Sequence, residues 1–293
     1  MSEIRDLVAA ELAVPVDRRV EAMAAALAER YPGAARAVLF YGSCLRMSEL
    51  DGLMLDFYLI VSSYRDAYGR SWLAAANRLI PPNVFPFEHD GLMAKYAVLS
   101  EADFRRLNGP ETLNVSVWAR FAQPSRLVWV KDEAARERVV AAVARAAPSL
   151  LAAALPALPD RQPPLDMWRG AFALTYSAEL RAERQGRAGS VVDADPDRYL
   201  RFAGPALAAV ALSGPERRAA GRGWWKRRVQ GKALTALRLA KASATYAGGT
   251  DYLVWKINRH AGTQIVLKPW QRRWPLLAAV TLLPRLLKRG AIR

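Results

Sequence analysis

The sequence predicts an α+β protein in which a mixed β-sheet with flanking helices is followed by a mainly helical second region. Short runs rich in apolar, β-branched and aromatic residues predict strands at 37–40, 53–61, 92–99 and 127–130. Apolar residues at helical spacing predict packing helices at 16–30 and 133–147. Four prolines within 156–164 mark a boundary, after which the pattern is mainly helical.

The elements of the first region follow from local signals. The helix at 16–30 ends before Pro32 and Gly33, and a polar loop is expected at 62–70. A short helix at 72–79 is stopped by Pro81 and Pro82. Pro86 restricts the segment 84–88 to an edge strand. Proline has no backbone N–H to donate to a neighbouring strand, and only an edge strand has a side without such a neighbour. Ser100 is expected to cap the helix that begins at Glu101.

The second region is predicted to be helical, with a loop at 185–195 and a basic linker at 221–228. Its helices are expected at 166–184, 198–212, 232–243 and 251–258. An apolar segment with a basic end, 276–288, follows. We therefore divide the chain into a sheet domain at 1–155, a mainly helical substrate-binding domain at 156–262 and a basic amphipathic tail at 263–293.

One carboxylate, Asp56, stands in the middle of an apolar strand that follows a Gly42-Ser43 turn. A buried acid is costly unless it is paired. A divalent metal that holds a nucleoside triphosphate is one such partner, since glycine lets the backbone approach a phosphate and serine offers a hydroxyl and an N–H. The alternative is an acid on the rim of the sheet that caps a turn.

Two further residues extend this hypothesis. Lys95 interrupts another predicted central strand, and we expect it beside Asp56 at the same mouth of the sheet; the alternative is a salt bridge to a neighbouring acid. Cys44 follows the turn directly. With only His89 and His260 as imidazole bases, a small buried turn residue is favoured over a nucleophile.

Charge is distributed unevenly along the chain. The net charge is +16, and the segment 217–293 holds 18 basic residues against one acid, whereas the preceding residues hold 25 basic and 26 acidic side chains. The basic segment also contains Trp224, Trp225, Trp255, Trp270 and Trp274. Basic residues with interfacial tryptophans suit an anionic membrane surface, and they also suit single-stranded nucleic acid.

Other protein classes are disfavoured by composition. A single cysteine excludes a disulfide framework within the chain and favours a reducing compartment. The charged N-terminal segment has no apolar signal-peptide core, and the longest uncharged stretches, 146–159 and 202–215, are 14 residues long and contain proline. An integral membrane protein is therefore not expected.

The order strand, Gly-Ser turn, short helix and acid-bearing strand is the layout of the nucleotidyltransferase superfamily. Within it the chain resembles the mitochondrial-type phosphatidate cytidylyltransferases, the translocator assembly and maintenance family, which has bacterial relatives. The resemblance runs from about residue 37 to 260. Its first half rests on Tyr41-Gly42-Ser43, Met54-Leu55-Asp56-Phe57, Trp72, Asn77, Lys95 to Ser100, Trp118 and Ser125-Arg126-Leu127.

The second half of the resemblance rests on the segment 175–181 and on Arg238, Lys241, Thr245, Gly248, Tyr252 and Lys256. Three departures from the family pattern stand out. Tyr58 occupies the place of a second acid, so Asp51, Glu88 and Asp90 remain candidates for the second metal ligand. Glu179 replaces an aspartate, and the last 30 residues align with nothing in the family.

The resemblance implies an enzyme that forms CDP-diacylglycerol and pyrophosphate from CTP and phosphatidic acid with Mg²⁺, with no nucleic acid partner. It implies a cytoplasmic protein held peripherally on the inner face of the cell membrane, where 276–288 would contact lipid or else pack on the protein. Asp56, as metal ligand, and Lys95 would be catalytic. Nucleotide-binding residues would be Tyr41, Gly42, Ser43 and Arg126. Phosphate- or lipid-binding residues would be Tyr176, Arg181, Lys232, Arg238, Lys241, Thr245 and Lys256.

Two alternative functions stay open. The first is a nucleotidyltransferase that acts on a nucleic acid, such as a tRNA-modifying enzyme or a toxin–antitoxin component. The second is a non-catalytic membrane or RNA adaptor. Arg238 and Lys241 are three residues apart on one helix face, and the simplest interpretation of that pair is a solvated face.

Overall fold

The computed structural model describes residues 2–46, 50–69, 71–179, 187–210, 214–245 and 268. Within them the protein has the predicted α+β architecture, with one five-stranded mixed sheet flanked by helices. Several predictions lie outside the described residues: Arg181, Lys256, the helix at 251–258, the apolar segment at 276–288 and all of the tail except Lys268.

The strand order places the acid-bearing strand near the middle of the sheet. The strands are β1 (Ala35–Tyr41), β2 (Met54–Val61), β3 (Asn83–His89), β4 (Leu92–Ser100) and β5 (Ser125–Val130). They lie in the order β3-β4-β2-β1-β5, with β2 and β4 parallel and the other neighbours antiparallel. The predicted edge position of Pro86 is confirmed, since β3 ends the sheet.

The two faces of the sheet pack against different layers, because successive strand residues point to opposite sides. Leu55, Phe57 and Leu59 lie in an apolar cluster with helix α2 (Arg18–Glu29). Tyr58 and Ile60 lie in the other cluster, with most of the remaining helices. Asp56 alternates with Leu55 and Phe57, so it belongs to this second face, which we call the helical face.

The helices on the helical face form one continuous apolar cluster that includes residues from Ile4 to Trp224. They are α1 (Ser2–Leu12), α5 (Glu101–Leu107), α6 (Trp118–Phe121), α7 (Glu133–Val143), α8 (Ala146–Ala154), α9 (Pro164–Ala178), α10 (Arg187–Asp193), α11 (Pro196–Ala208) and α12 (Gly214–Thr245). At its centre Trp168 Nε1 donates to Tyr199 O at 2.9 Å. The cluster continues across the predicted boundary at 155, so helices on both sides of it share a core.

The predicted linker at 221–228 is wrong, since these residues lie inside the 32-residue helix α12. Glycines weaken a helix locally, but packing compensates here. Trp224 is buried, and its Nε1 donates to Ala153 O at 2.7 Å. Gly231 packs so closely on α9 that a Cβ there would lie 2.1 Å from Ala178 O.

Smaller corrections have local causes. The predicted loop at 62–70 contains α3 (Tyr64–Tyr68), because Ser63 Oγ accepts from Asp66 N at 3.1 Å and Gly69 closes the helix at φ 56°. It is followed by α4 (Ser71–Leu79). The loop at 185–195 contains α10 (Arg187–Asp193), and the helix expected to reach 184 ends at Ala178. The Ser100 cap is confirmed, with Oγ accepting from Asp103 N at 3.2 Å.

Among the described helices, one stretch is long and apolar enough to cross a membrane by length and composition, Glu133–Ala157. It comprises α7, α8 and a final 3₁₀ turn, and 61% of its most apolar window is buried inside the protein. Burial of this kind is what a core helix of a folded domain shows as well.

A buried ion pair joins the first helix of the chain to the second region. Arg198 on α11 is 2% exposed, and its guanidinium pairs with Glu11 on α1, which is 11% exposed. The same guanidinium donates to Ala122 O at 3.0 Å and lies 4.2 Å from the ring centroid of Phe202. Removing one member of such a pair leaves the other charge buried and unpaired.

We expect Glu11→Ala to lower the free energy of unfolding by about 3–5 kcal/mol, because Arg198 would keep its buried charge without a carboxylate. Glu137→Ala is the matched control. Its partner Arg5 is 46% exposed, and we expect a loss below about 1 kcal/mol. Urea denaturation of both variants measures the difference, and equal losses would contradict the structural role of the buried pair.

Candidate functional site

Three predicted site residues lie side by side across the centre of the sheet. Asp56 on β2 is in register with Tyr41 on β1 and with Lys95 on β4. Lys95 Nζ lies 3.0 Å from Asp56 Oδ1, and the two side chains are 27% and 18% exposed. Oδ1 accepts no well-directed hydrogen bond, so the contact is an ion pair. Both alternatives for Lys95 therefore hold, since it lies beside Asp56 and pairs with it.

The Gly42 turn closes over this carboxylate. Gly42 has φ +94°, and a Cβ there would lie 3.0 Å from Asp56 Oδ2. Both the conformation and the close approach require glycine. Ser43 is exposed and begins a 3₁₀ helix, Ser43–Arg46, which is the short helix the layout implied.

Cys44 is buried in that 3₁₀ helix. Its Sγ donates to Met54 O at 3.6 Å. Burial raises the pKa of the thiol, and the nearby charge of Asp56 raises it further. A thiol with a raised pKa is a poor nucleophile at neutral pH, which favours the turn-residue interpretation over a catalytic one.

Arg120 is a further cation of the site that was not among the predicted residues. It lies on α6 between buried neighbours, and its Cζ is 5.0 Å from the ring centroid of Tyr41. Burial lowers the pKa of Arg120, but the nearby Tyr41, Tyr58, Glu179 and Asp56 outweigh it and raise that pKa overall. The one signal for Arg120 was a single cation within the otherwise apolar Trp118–Phe121 segment.

Arg238 and Lys241 point inward, so the solvated-face interpretation of this pair is wrong. Arg238 donates from Nε to Pro81 O at 2.8 Å and from Nη1 to Ser116 Oγ at 2.9 Å. Lys241 Nζ donates to Ile80 O and, at 2.9 Å, to Pro82 O. Burial, followed by the charge of Arg238, lowers the pKa of Lys241 to about 7. The amphipathic pattern gave no indication of which face of α12 would be covered.

Tyr58 and Glu179 complete the group around Asp56. Burial raises the pKa of the Tyr58 hydroxyl, and the charges acting on it are those of Arg120, Arg238, Glu179 and Asp56. Glu179 directly follows α9 and also acts on both arginines. The site therefore lies between the sheet and the helices of the second region.

The fit to Mg²⁺ rests on one carboxylate. Among the described residues, no three His, Cys, Asp or Glu side chains are grouped to hold a metal. Asp51 is exposed and pairs with Arg19 at 3.1 Å, Asp90 is exposed in a turn, and Glu88 is in register with Met93 rather than with Lys95. Magnesium commonly takes one or two carboxylates and completes its shell with water and substrate phosphates, so Asp56 suits it.

The other predicted site residues within the described ranges lie on β5, α9 and α12. Arg126 bonds Ser125 O at 2.9 Å, and the charges around it are Glu11, Arg198 and Asp195, so it is not grouped with Asp56. Lys232 is exposed, Tyr176 is partly buried on α9, and Thr245 is the last residue of α12.

Asn77 and Trp72, on which the family resemblance also rests, lie within the described residues. Asn77 is fully buried and donates to Val98 O at 3.0 Å, which joins α4 to the sheet. Trp72 is 52% exposed.

No protein-family model matches the chain, and no curated protein is significantly similar to it in sequence. The chemistry of the site is therefore argued from its own residues.

We expect Gly42→Ala to destabilise the protein by about 1–3 kcal/mol, because the new Cβ would meet Asp56 Oδ2 in a conformation that alanine rarely adopts. Gly33→Ala is the control, since Gly33 has φ +76° but nothing lies within 4 Å of its Cβ position. Chemical denaturation of both variants gives the comparison. If Gly33→Ala lowered the free energy of unfolding as much as Gly42→Ala, the close approach to Asp56 would not explain the effect.

We expect Lys241 to make stability depend on pH. Its pKa falls from an ordinary 10.5 to about 7 on folding, so the unfolded chain binds more protons between these values. Stability attributable to this residue must then rise with pH from about 7 to about 10.5, by about 1–2 kcal/mol after allowance for solvent screening. Denaturation at pH 6.5 and 9.5 measures this. Between these pH values the stability of the wild type should rise relative to Lys241→Met, but not relative to the exposed-site variant Lys232→Met. A rise in relative stability with falling pH would contradict the burial of Lys241.

Proposed function

We propose that the protein is a Mg²⁺-dependent nucleotidyltransferase that transfers the cytidylyl group of CTP to phosphatidic acid, giving CDP-diacylglycerol and pyrophosphate. The proposal includes a nucleotidyltransferase-type arrangement of the sheet. The observation that carries it is the Asp56–Lys95 pair in the sheet centre, closed over by the Gly42 turn, with Ser43 exposed beside it.

The residues of the pair would act on the triphosphate. The Gly42-Ser43 turn offers a backbone that can approach phosphate closely together with a hydroxyl. Bound Mg²⁺ would supply charge neutralisation at the triphosphate, held on the protein side by Asp56. Lys95 would then contribute its positive charge to the phosphates, in addition to orienting the carboxylate 3.0 Å away.

The reaction needs no strong general base, because a phosphomonoester is already an anionic nucleophile. The chain contains two histidines. His89 lies at the end of edge strand β3, where its Nε2 is 3.5 Å from Asp90 Oδ2. The buried thiol of Cys44 is disfavoured as a nucleophile by its raised pKa. Phosphoryl-type transfer by positioning and charge is therefore the chemistry that suits these residues.

A lipid substrate accounts for the charge distribution along the chain. Helix α12 exposes Trp225, Val229 and Leu237, which are 68%, 53% and 49% exposed. Exposed basic residues accompany them: Lys226, Arg228 and Lys232. Each basic residue near an anionic membrane contributes about 1 kcal/mol. We infer a cytoplasmic protein held peripherally on the inner membrane face by this helix and the basic segment that follows it.

A non-catalytic adaptor is the second candidate. The observation in its favour is that no group of three metal-ligating side chains occurs in the part of the chain that the structure describes. Metal-dependent binding of CTP argues against it. A nucleotidyltransferase that acts on nucleic acid remains the outcome to expect if turnover requires RNA instead of lipid.

We expect Asp56→Asn to abolish turnover, at least about a hundredfold, because the amide keeps the shape but loses the charge that would hold the metal. Asp197→Asn, at an exposed position on α11, should keep full activity. The measurement is pyrophosphate release from CTP and Mg²⁺ with vesicles that contain phosphatidic acid, together with circular dichroism to confirm folding. If Asp56→Asn lost only part of its activity, Asp56 would not be the main metal ligand.

The same assay tests the substrate. Release that requires both CTP and phosphatidic acid, and that yields a lipid-soluble cytidine product, supports the proposal. Release that instead requires RNA would keep a nucleotidyltransferase but overturn the lipid acceptor.

A further inference from the structure

Two guanidinium groups near Tyr58 each keep a buried N–H donor without an acceptor in the described chain. Nε of Arg120 and Nη2 of Arg238 are buried, and neither donates a hydrogen bond within the described chain. Leaving a buried charged donor unsatisfied costs more than leaving a neutral one. Two such donors in one site indicate an anion that both arginines bind when it is present.

The two arginines approach the sheet from different elements. Arg238 on α12 is held by Ser116 Oγ at 2.9 Å, and Ser116 lies four residues before Arg120. Arg120 stacks over the ring of Tyr41, which lies 5.2 Å from the ring of Tyr58. Both guanidinium groups act electrostatically on the Tyr58 hydroxyl. Both arginines therefore lie in the neighbourhood of Tyr58.

The charge of this group leaves room for an anion. Glu179 acts on both arginines and makes further contacts of its own, so it offsets one of their two positive charges. Lys241 lies one helical turn from Arg238 and adds positive charge when protonated. Arginine forks match phosphate oxygens with two parallel hydrogen bonds, which makes a phosphate group the anion of best fit.

We propose that Arg120 and Arg238, with the Tyr58 hydroxyl, form a second phosphate subsite that takes the phosphomonoester of the acceptor. The existence of the subsite rests on the two donors, whereas the identity of its ligand as the acceptor rests on the proposed function.

The position of the subsite relative to Asp56 favours the acceptor over the triphosphate. The Gly42 turn lies at the mouth beside Asp56, whereas Tyr58 lies two residues further along β2, about 7 Å deeper in the sheet. Two phosphate groups would then lie on opposite sides of Asp56. In-line transfer requires this separation, because the nucleophile and the leaving group occupy opposite sides of the reacting phosphorus.

The step balances without a further reactant. An anionic oxygen of the acceptor phosphate forms a bond to the α-phosphorus of CTP. The bond from that phosphorus to the oxygen bridging to the β-phosphate breaks, and its electron pair leaves with pyrophosphate. The arginines would hold the acceptor oxygens in line and would not exchange a proton with them.

Arg120→Gln is the sharpest test, because it removes the buried Nε donor, which has no acceptor within the described chain. Isothermal titration of the full-length protein with inorganic phosphate, glycerol 3-phosphate and CTP separates the two phosphate sites. We expect Arg120→Gln and Arg238→Gln to weaken phosphate and glycerol 3-phosphate binding by at least about tenfold and CTP binding by less than about threefold. Arg201→Gln, at an exposed position on α11, should change neither.

A third variant separates charge from geometry. Arg120→Lys keeps the charge but lacks the fork, so its phosphate affinity should fall between wild type and Arg120→Gln. Unchanged phosphate affinity in Arg120→Gln, an equal loss of CTP affinity, or no phosphate binding by wild type would each overturn the subsite.

The outcomes also distinguish the subsite from the proposed function. If the glutamine variants bind phosphate more weakly but the wild type makes no cytidine lipid, the subsite is supported and the proposed lipid activity is wrong. If the wild type makes the cytidine lipid and Arg120→Gln keeps the wild-type KM for phosphatidic acid, the lipid activity is supported and the acceptor subsite is wrong.

Discussion

The Asp56–Lys95 ion pair is the interaction on which the rest of the site depends. Two opposite charges inside adjacent strands are tolerable only when they meet, and the parallel register of β2 and β4 brings them together. A slip of one residue would turn one charge to the opposite face of the sheet. The same carboxylate leaves no room for a side chain at position 42. Strand register, turn geometry and charge placement are therefore one constraint.

The helices do more than cover the sheet. Arg120 comes from α6, Glu179 from the end of α9, and Arg238 and Lys241 from α12, and all reach the helical face near Asp56 or the Ile80–Pro82 segment beside it. These residues lie on both sides of the predicted boundary at 155, and the apolar cluster that positions them is continuous across it. A site assembled in this way depends on the packing of α12, which Trp224 fixes through its bond to Ala153 O.

The site as folded is more cationic than the motif alone indicated. The place expected to hold a second acid is occupied by Tyr58, whose hydroxyl is surrounded by two arginines and one glutamate. Under the proposed function, this arrangement would favour direct contact with phosphate over ligation of a second metal. The buried donors of Arg120 and Arg238 have no acceptor in the described chain, and the phosphate proposed above would satisfy them.

The sequence by itself determined the strands, the edge position of Pro86, the Ser100 cap and the two charges that stand inside strands, Asp56 and Lys95, because charges and prolines in apolar strands are local anomalies. Tertiary structure alone decided the recruitment of Arg120 and the separation of Arg126 from the Asp56 group. It also decided the inward direction of Arg238 and Lys241. It also made a helix of the glycine-containing segment 221–228. The reason is physical: periodicity fixes which residues share a face, but only contacts distant in sequence determine what that face meets.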